Sequence, residues 1–383
     1  MNFSLRHQQL AKRLRRAHRQ ALLVTHLPNI FYLCGFTGSA GVLLFQAGEE
    51  GHVFKATLFT DGRYTEQAKQ EVKAARLVIA KNSSLVEACD AMLGMPLPKP
   101  WPLLIKRSGP RTQLKSRIVA FEADHLNCAT YHQIRHKVGG HVKLKPTAGF
   151  VEELRLRKDP VEIQKIRNAV HLGSRLFETA LSAIRPGVAE AAVAGKLELA
   201  ARESGAERMS FDTIVASGAR SALPHGRATA QGIPGNGFII LDYGVILAGY
   251  CSDMTRTVHV GSVSDRHRRM YDAVLAAQLA SIEAVRPGVQ TGEVDRAGRE
   301  RLKKAGYDSY FTHSTGHGVG IEVHEPPRLG KGQKQELAPG MVVTIEPGIY
   351  IPDEGGVRIE DMVLVTETGH EVLTPTTKDL ITL

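Results

Sequence analysis

Two apolar runs that each lead to an acid decide how this chain is read: FIILDYG (residues 238–244), which ends on Asp242, and YCSDMTR (residues 250–256), which presents Asp253. If the runs pair as a hairpin, the two carboxylates converge. An acid at the end of an apolar strand is costly unless its charge is compensated, and a shared divalent cation compensates better than a single side chain. Taken alone, Asp242 could also be a cap on the turn at Tyr243 and Gly244.

Downstream, MVVTIEPGIY (341–350) and GGVRIED (355–361) repeat the pattern, placing Glu346 and Glu360 at the ends of β-rich runs. Between the two pairs lies THSTGHGVGIEVHEPP (312–327), with His313, His317 and His324 set among glycines that allow close backbone approach. Each residue alone could fill an ordinary structural role. Four acids and a histidine in one recurring context are harder to assign to solvated surface. Asp242, Asp253, His317, Glu346 and Glu360 make an oxygen-dominated ligand set, which suits two divalent cations roughly 3.5–4 Å apart better than one ion. Such a set favours manganese, with cobalt, iron or zinc as alternatives, over a thiolate-ligated structural zinc site.

Working outward, 383 residues allow two ordinary domains. No run reaches the ~18 apolar residues of a membrane helix, so no membrane partner is expected. Leu5, Leu10, Leu14 and Leu22 fall at roughly helical spacing among Lys12, Arg13, Arg15, Arg16 and Arg19, which predicts an amphipathic first helix; His26 and Pro28 end the apolar stretch too early for a signal peptide. Cys34, Cys89, Cys128 and Cys251 form no C-x-x-C pair, which suggests a reducing cytoplasm. The net charge of +10 comes from residues 1–150, with 22 Lys and Arg against 9 Asp and Glu. These are dispersed and carry no nucleic-acid signature, so a solvated surface is expected and nucleic acid is not.

The class expected is α+β. Strand-like runs at Ala21–Thr25, Gly41–Phe45 and Thr57–Thr60, with a helix at Tyr64–Ala75, predict an α/β first domain; Met95–Trp101 reads as a proline-rich loop. A boundary falls near Lys145–Lys158, giving domains 1–147 and 148–383. Beyond it, Asp159 and Pro160 open a helix through about Ile184, and Ala189–Glu203 is helical. Strands follow at Thr213–Ala216 and Gly237–Leu241, with Arg220–Gly235 a loop between them. A second unit has helices at Asp265–Val285 and Gly292–Lys304 and strands at Gly318–His324, Val342–Ile345 and Val357–Val365. That repetition predicts a pseudo-symmetric duplication, although the halves show no letter-by-letter repeat.

With those residues in hand, the sequence resembles the pita-bread metallopeptidase family, which includes aminopeptidase P, prolidase, methionine aminopeptidase and the metal-free creatinases. NIFYLCGFTGSAG (29–41) and TDGRY (60–64) look like the creatinase-type N-terminal domain of its Xaa-Pro branch. The resemblance implies a creatinase-like N-terminal domain, a pita-bread catalytic domain and an Xaa-Pro aminopeptidase acting on peptides with proline second. Prolidase, an Xaa-Pro dipeptidase, is the alternative, and a non-catalytic interaction protein a more distant one.

The family pattern implies that Asp242 chelates one ion, that His317 and Glu346 sit on the other, that Asp253 and Glu360 bridge, and that solvent bridging the ions is the nucleophile. It further implies Glu346 as general base, His225 (in LPHG, 223–226) and His324 as substrate-facing donors, His313 as a third such histidine, and Tyr350 as a site residue. Arg358 would bond a ligand carboxylate or orient substrate. A homodimer is also implied.

Overall fold

A computed structural model of the chain describes residues 2–48, 54–95 and 116–383, in two compact units, Met1–Arg155 and Leu156–Leu383. Of the proline-rich loop expected at Met95–Trp101, residues 96–101 lie outside the described residues.

The first unit is an α/β layer built on six strands: β1 (Ala21–Val24), β2 (Val42–Gln46), β3 (Lys55–Asp61), β4 (Arg76–Ala80), β5 (Arg117–Glu122) and β6 (Val142–Thr147), in the order β4-β3-β2-β1-β5-β6. β1 pairs antiparallel with β2 and parallel with β5, so it is central, and all four of its residues are buried. That is why ALLV is an uninterrupted apolar run. Its helices are α1 (Phe3–Arg16), α2 (Leu27–Cys34), α3 (Thr65–Glu71), α4 (Ser84–Leu93), α5 (Cys128–Val138) and α6 (Glu152–Arg155). Ala88, Cys89 and Met92 of α4 and Ile134 and Val138 of α5 pack on Leu23, Leu44, Phe59 and Val119 of the sheet.

Two expectations change here. In α1, Leu10 and Leu14 are buried, but Leu5 is 46% exposed and Leu22 belongs to β1. The helix expected at Tyr64–Ala75 ends at Glu71, because Val72 turns extended and the Lys73 amide donates to Cys34 O at 2.8 Å.

The second unit opens with α7 (Pro160–Ala183), whose Asp159 and Glu162 form a capping box, an arrangement that satisfies two otherwise orphaned amides. α8 (Glu190–Glu203) returns against it. Four strands follow: β7 (Arg208–Met209), β8 (Ile214–Ser217), β9 (Gly237–Tyr243) and β10 (Val245–Leu247). β11 (Tyr250–Cys251) and β12 (Met254–Val260) complete this half. β12, β9 and β8 form one sheet, with β9 and β12 antiparallel and Asp242 opposite Thr255.

The second half repeats the plan with α9 (Asp265–Glu283) and α10 (Thr291–Lys304), then β13 (Gly316–Gly318), β14 (Glu325–Leu329), β15 (Val342–Ile345), β16 (Gly348–Ile351), β17 (Gly355–Arg358), β18 (Asp361–Val365) and β19 (His370–Val372). Its five-stranded sheet runs β14-β13-β15-β18-β19, and β16 pairs with β17 separately.

The duplication leaves a short literal repeat after all. Arg-Pro-Gly-Val joins α7 to α8 at residues 185–188 and α9 to α10 at residues 286–289. Gly187 and Gly288 take φ of +83° and +82°, a left-handed conformation that favours glycine. Their amides donate to Ile233 O and Leu337 O, and Glu190 N and Thr291 N donate to Gln231 O and Gln335 O.

Strand periodicity then divides the faces. Ile239 and Leu241 of β9 pack with Leu176, Val193 and Leu197 of the first helix pair, and Val343 and Ile345 of β15 pack with Ile282 and Val294 of the second. Asp242 and Glu346, out of phase with those residues, are left for the face away from the helices.

Two strand assignments differ from expectation. Gly318–His324 is mostly the connection between β13 and β14, not a strand. Val357–Val365 is two strands, because β17 pairs with β16 whereas β18 pairs with β15, and the break falls at Ile359 and Glu360.

Candidate active site

Each half contributes one acid at the end of a strand and one just before the antiparallel partner. Asp242 lies near the end of β9 and Asp253 directly precedes β12; Glu346 directly follows β15 and Glu360 directly precedes β18. Asp253, His317 and Glu360 each offer a ligand atom within 4.8 Å of the others. His317 Nε2 lies 3.4 Å from Glu346 Oε1 and 3.7 Å from Asp253 Oδ2. Asp242 joins the group through Arg358, whose Nη2 donates to Asp242 Oδ2 at 2.6 Å.

Arg358 is itself buried. Its Nη1 donates to Tyr350 Oη at 2.7 Å and to Pro224 O at 3.1 Å, and its Nε donates to Thr255 Oγ1 at 3.2 Å. His313 Nε2 meets Tyr350 Oη at 2.9 Å, so His313, Tyr350, Arg358 and Asp242 form a continuous polar chain. The His324 ring stands edge-on to His317 with centroids 4.4 Å apart. His225 is exposed, and His324 is lowered in its affinity for protons chiefly by burial, with the nearby Asp242 opposing it.

Thr255 and Thr344 were not apparent from the sequence as site residues. Thr255 Oγ1 donates to Glu360 Oε2 at 2.7 Å; Thr344 Oγ1 donates to Glu346 Oε1 at 3.2 Å and accepts from the His317 amide. The usable signal was period two: each threonine is two residues from a ligand acid, on the same strand face.

Burial dominates the electrostatics. It pushes Glu346 up to about 8, with the charge of Asp242 adding to it and Arg358 and Thr344 opposing it. Asp253 and Glu360 are raised well above the usual carboxylate range by burial and by the neighbouring acids. His317 and His313 are lowered to about 4, chiefly by burial, so both are neutral at pH 7 with a lone pair to offer. Crowded buried carboxylates beside a neutral imidazole fit divalent cations, which would replace the protons these acids otherwise retain. The buried Asp242 Oδ1, which has no hydrogen-bond partner among the described residues, is a further acceptor suited to such an ion.

Residues 164–367 match the model of Metallopeptidase family M24, and residues 6–157 match that of the Creatinase/Prolidase N-terminal domain. The chain belongs to metallopeptidase family M24. Its fold is the α+β pita-bread arrangement preceded by a creatinase-type domain, and it is a metallo-exopeptidase. Among M24 relatives, the chain is 35% identical to an Xaa-Pro dipeptidase of Pyrococcus horikoshii, over 94% of each protein. It is 38% identical to the solved Xaa-Pro dipeptidase from Bacillus anthracis, with a TM-score of 0.90 and 100% of each chain covered. The solved X-Pro aminopeptidase from Thermotoga maritima is 33% identical, with a TM-score of 0.83, covering 97% of this chain and 100% of that one.

Proposed function

We propose that this M24 peptidase is an Xaa-Pro dipeptidase, a prolidase, in place of the Xaa-Pro aminopeptidase first expected. The convergence of Asp242, Asp253, His317, Glu346 and Glu360 on one face carries the hydrolytic part of this reading. The dipeptide part is supported by relatives described as Xaa-Pro dipeptidases that align over nearly their whole length.

In this reading those five residues hold two divalent cations, manganese being the first candidate. Bound there, the cations supply Lewis acidity towards the attacking water and the scissile carbonyl. Glu346 takes the proton of the water and returns it to the departing proline nitrogen, a leaving group that is poor until protonated. His225 and His324 donate to the oxyanion that develops at the carbonyl. His313 and Tyr350 line the substrate side, and Arg358 keeps Asp242 and Tyr350 in register. The substrate is a small peptide with proline second.

Manganese-loaded protein should be assayed on Ala-Pro, Ala-Pro-Ala and Ala-Ala. Preferred cleavage of Ala-Pro is expected. Turnover of Ala-Pro-Ala at an equal or higher rate would return the aminopeptidase reading, and equal turnover of Ala-Ala would remove proline from it.

A homodimer and a reducing cytoplasm complete the proposal. Light scattering should give twice the 41.8 kDa chain mass; a monomer overturns the first. The compartment is supported by four free cysteines, three of them buried; recovery of the protein from the extracellular fraction overturns it. Among the described residues no helix is long and apolar enough to cross a membrane.

A further inference from the structure

The loop that carries His225 is tied down by a buried carboxylate for which the mechanism has no use. Glu190, the first residue of α8, is 0% exposed. Its Oε1 accepts from the Ser217 amide and hydroxyl, both at 2.8 Å, and its Oε2 accepts from the Thr229 amide at 3.2 Å and hydroxyl at 2.8 Å. Arg220 Nε lies 3.2 Å from Oε2 and 3.4 Å from Oε1, and Arg220 Nη2 donates across the loop to Arg227 O at 2.7 Å. One side chain thus closes the base of the segment between Ser217 and Thr229. Leu223, Pro224 and His225 stand at its tip, where Pro224 O accepts from Arg358.

We propose that Glu190 is a positioning residue for His225, holding both ends of the Ser217–Thr229 loop so that the imidazole meets the substrate at a fixed place. The proposal rests on His225 being substrate-facing.

The bonding pattern of Glu190 fits neither a helix-end charge nor a structural need of the turn before it. An acid in the first turn of a helix is favoured by the helix dipole, yet these bonds run to the loop and not to the amides that open α8. A requirement of the Arg-Pro-Gly-Val hairpin fails on the second half. There the equivalent position is Thr291, which makes the same backbone bond, and its Oγ1 is buried with no hydrogen-bond partner among the described residues. The same turn is therefore built without a carboxylate. What differs is how the excursion that follows is held: residues 319–341 between β13 and β15 contain β14, which pairs with β13, whereas residues 218–236 between β8 and β9 contain no strand. An excursion without a strand needs an anchor, and charge-assisted bonds to amides and hydroxyls are strong enough to serve.

The test is a double-mutant cycle on Ala-Pro hydrolysis with Glu190→Gln, which keeps size and one acceptor oxygen, and His225→Ala. Glu190→Gln should lower kcat/KM about tenfold or more, since small misplacements of a reacting group are costly. In the His225→Ala background it should cost less than about twofold, the signature of acting through His225. Losses that multiply independently overturn the proposal, as does a lowered Tm with unchanged kcat/KM, or a His225→Ala variant as active as the parent.

A readout that does not depend on activity separates this from the prolidase reading. Arg227 has a side chain 80% exposed, and Glu190→Gln should raise the rate of tryptic cleavage there about tenfold or more as the local opening equilibrium shifts. If the parent protein hydrolyses no Xaa-Pro peptide, that rate decides alone: an unchanged rate overturns the proposal, and a raised rate with unchanged Tm supports loop anchoring.

Discussion

Arg358 Nη2 donates to Asp242 Oδ2 at 2.6 Å, while the other oxygen of Asp242 is buried and has no hydrogen-bond partner among the described residues. The guanidinium fixes one oxygen and thereby aims the other. Lysine cannot reproduce a fork that also holds Tyr350 and Pro224. Arg358→Lys should weaken cation binding and lower kcat/KM by about 10- to 100-fold, the range typical when a ligand loses its orienting partner. Isothermal titration and Ala-Pro kinetics would show both.

Cation binding should release protons. At pH 7 Glu346, raised to about 8, is mostly protonated in the cation-free protein, whereas His317, lowered to about 4, is already neutral and releases none. Titrations in buffers of different ionisation enthalpy should register the release, and affinity should fall as pH is lowered. The cation-free protein should also behave unlike one with ordinary carboxylates. A raised folded pKa contributes stability below the unfolded value of 4.5 that is lost as pH rises towards about 8. Urea midpoints after chelation should therefore be higher at pH 5 than at pH 8, on the Glu346 contribution.

Lys158 and Glu325 form an ion pair at 3.2 Å with side chains only 1% and 3% exposed. Removing one partner strands the other's charge, so Lys158→Met should destabilise by about 3–5 kcal/mol. Lys158→Met with Glu325→Gln should recover most of that loss in urea denaturation, because no buried charge remains.

Gly316 immediately precedes His317, and a Cβ there would stand 1.9 Å from Thr344 O. No side chain can move aside, since the obstacle is backbone. Gly316→Ala should destabilise by at least about 1–3 kcal/mol and move His317, so cation affinity should fall along with Tm.

The ligand strands were legible because an apolar run ending in acid is unfavourable without a compensating charge, and both hairpins obey period two. What misled was local pattern overridden at a distance. The alternation of Val319, Ile321 and Val323 reads as a strand, but the connection there turns about the Glu325 carboxylate, which accepts the Glu322 amide at 3.1 Å and leaves no room for a side chain at Gly320. Residues 72–75 look helical, yet Cys34 O captures the Lys73 amide. Glu190 reads only as part of a helix, because nothing in a helical stretch reveals which loop its first acid will reach. Arg-Pro-Gly-Val occurs at both sites but is too short a match to stand out from the surrounding letters.

The doubled hairpin also says something about origin. A single ancestral half could have supplied two carboxylates, and two copies face to face would have enclosed a site with both ions equivalent. The present chain has lost that equality, because an imidazole, His317, approaches Glu346 and Asp253 while Asp242 is committed on one oxygen to Arg358. The two ions should consequently load unequally, in two resolvable steps of a calorimetric titration; a single step with two identical sites would mean that the fused halves had kept their inherited likeness.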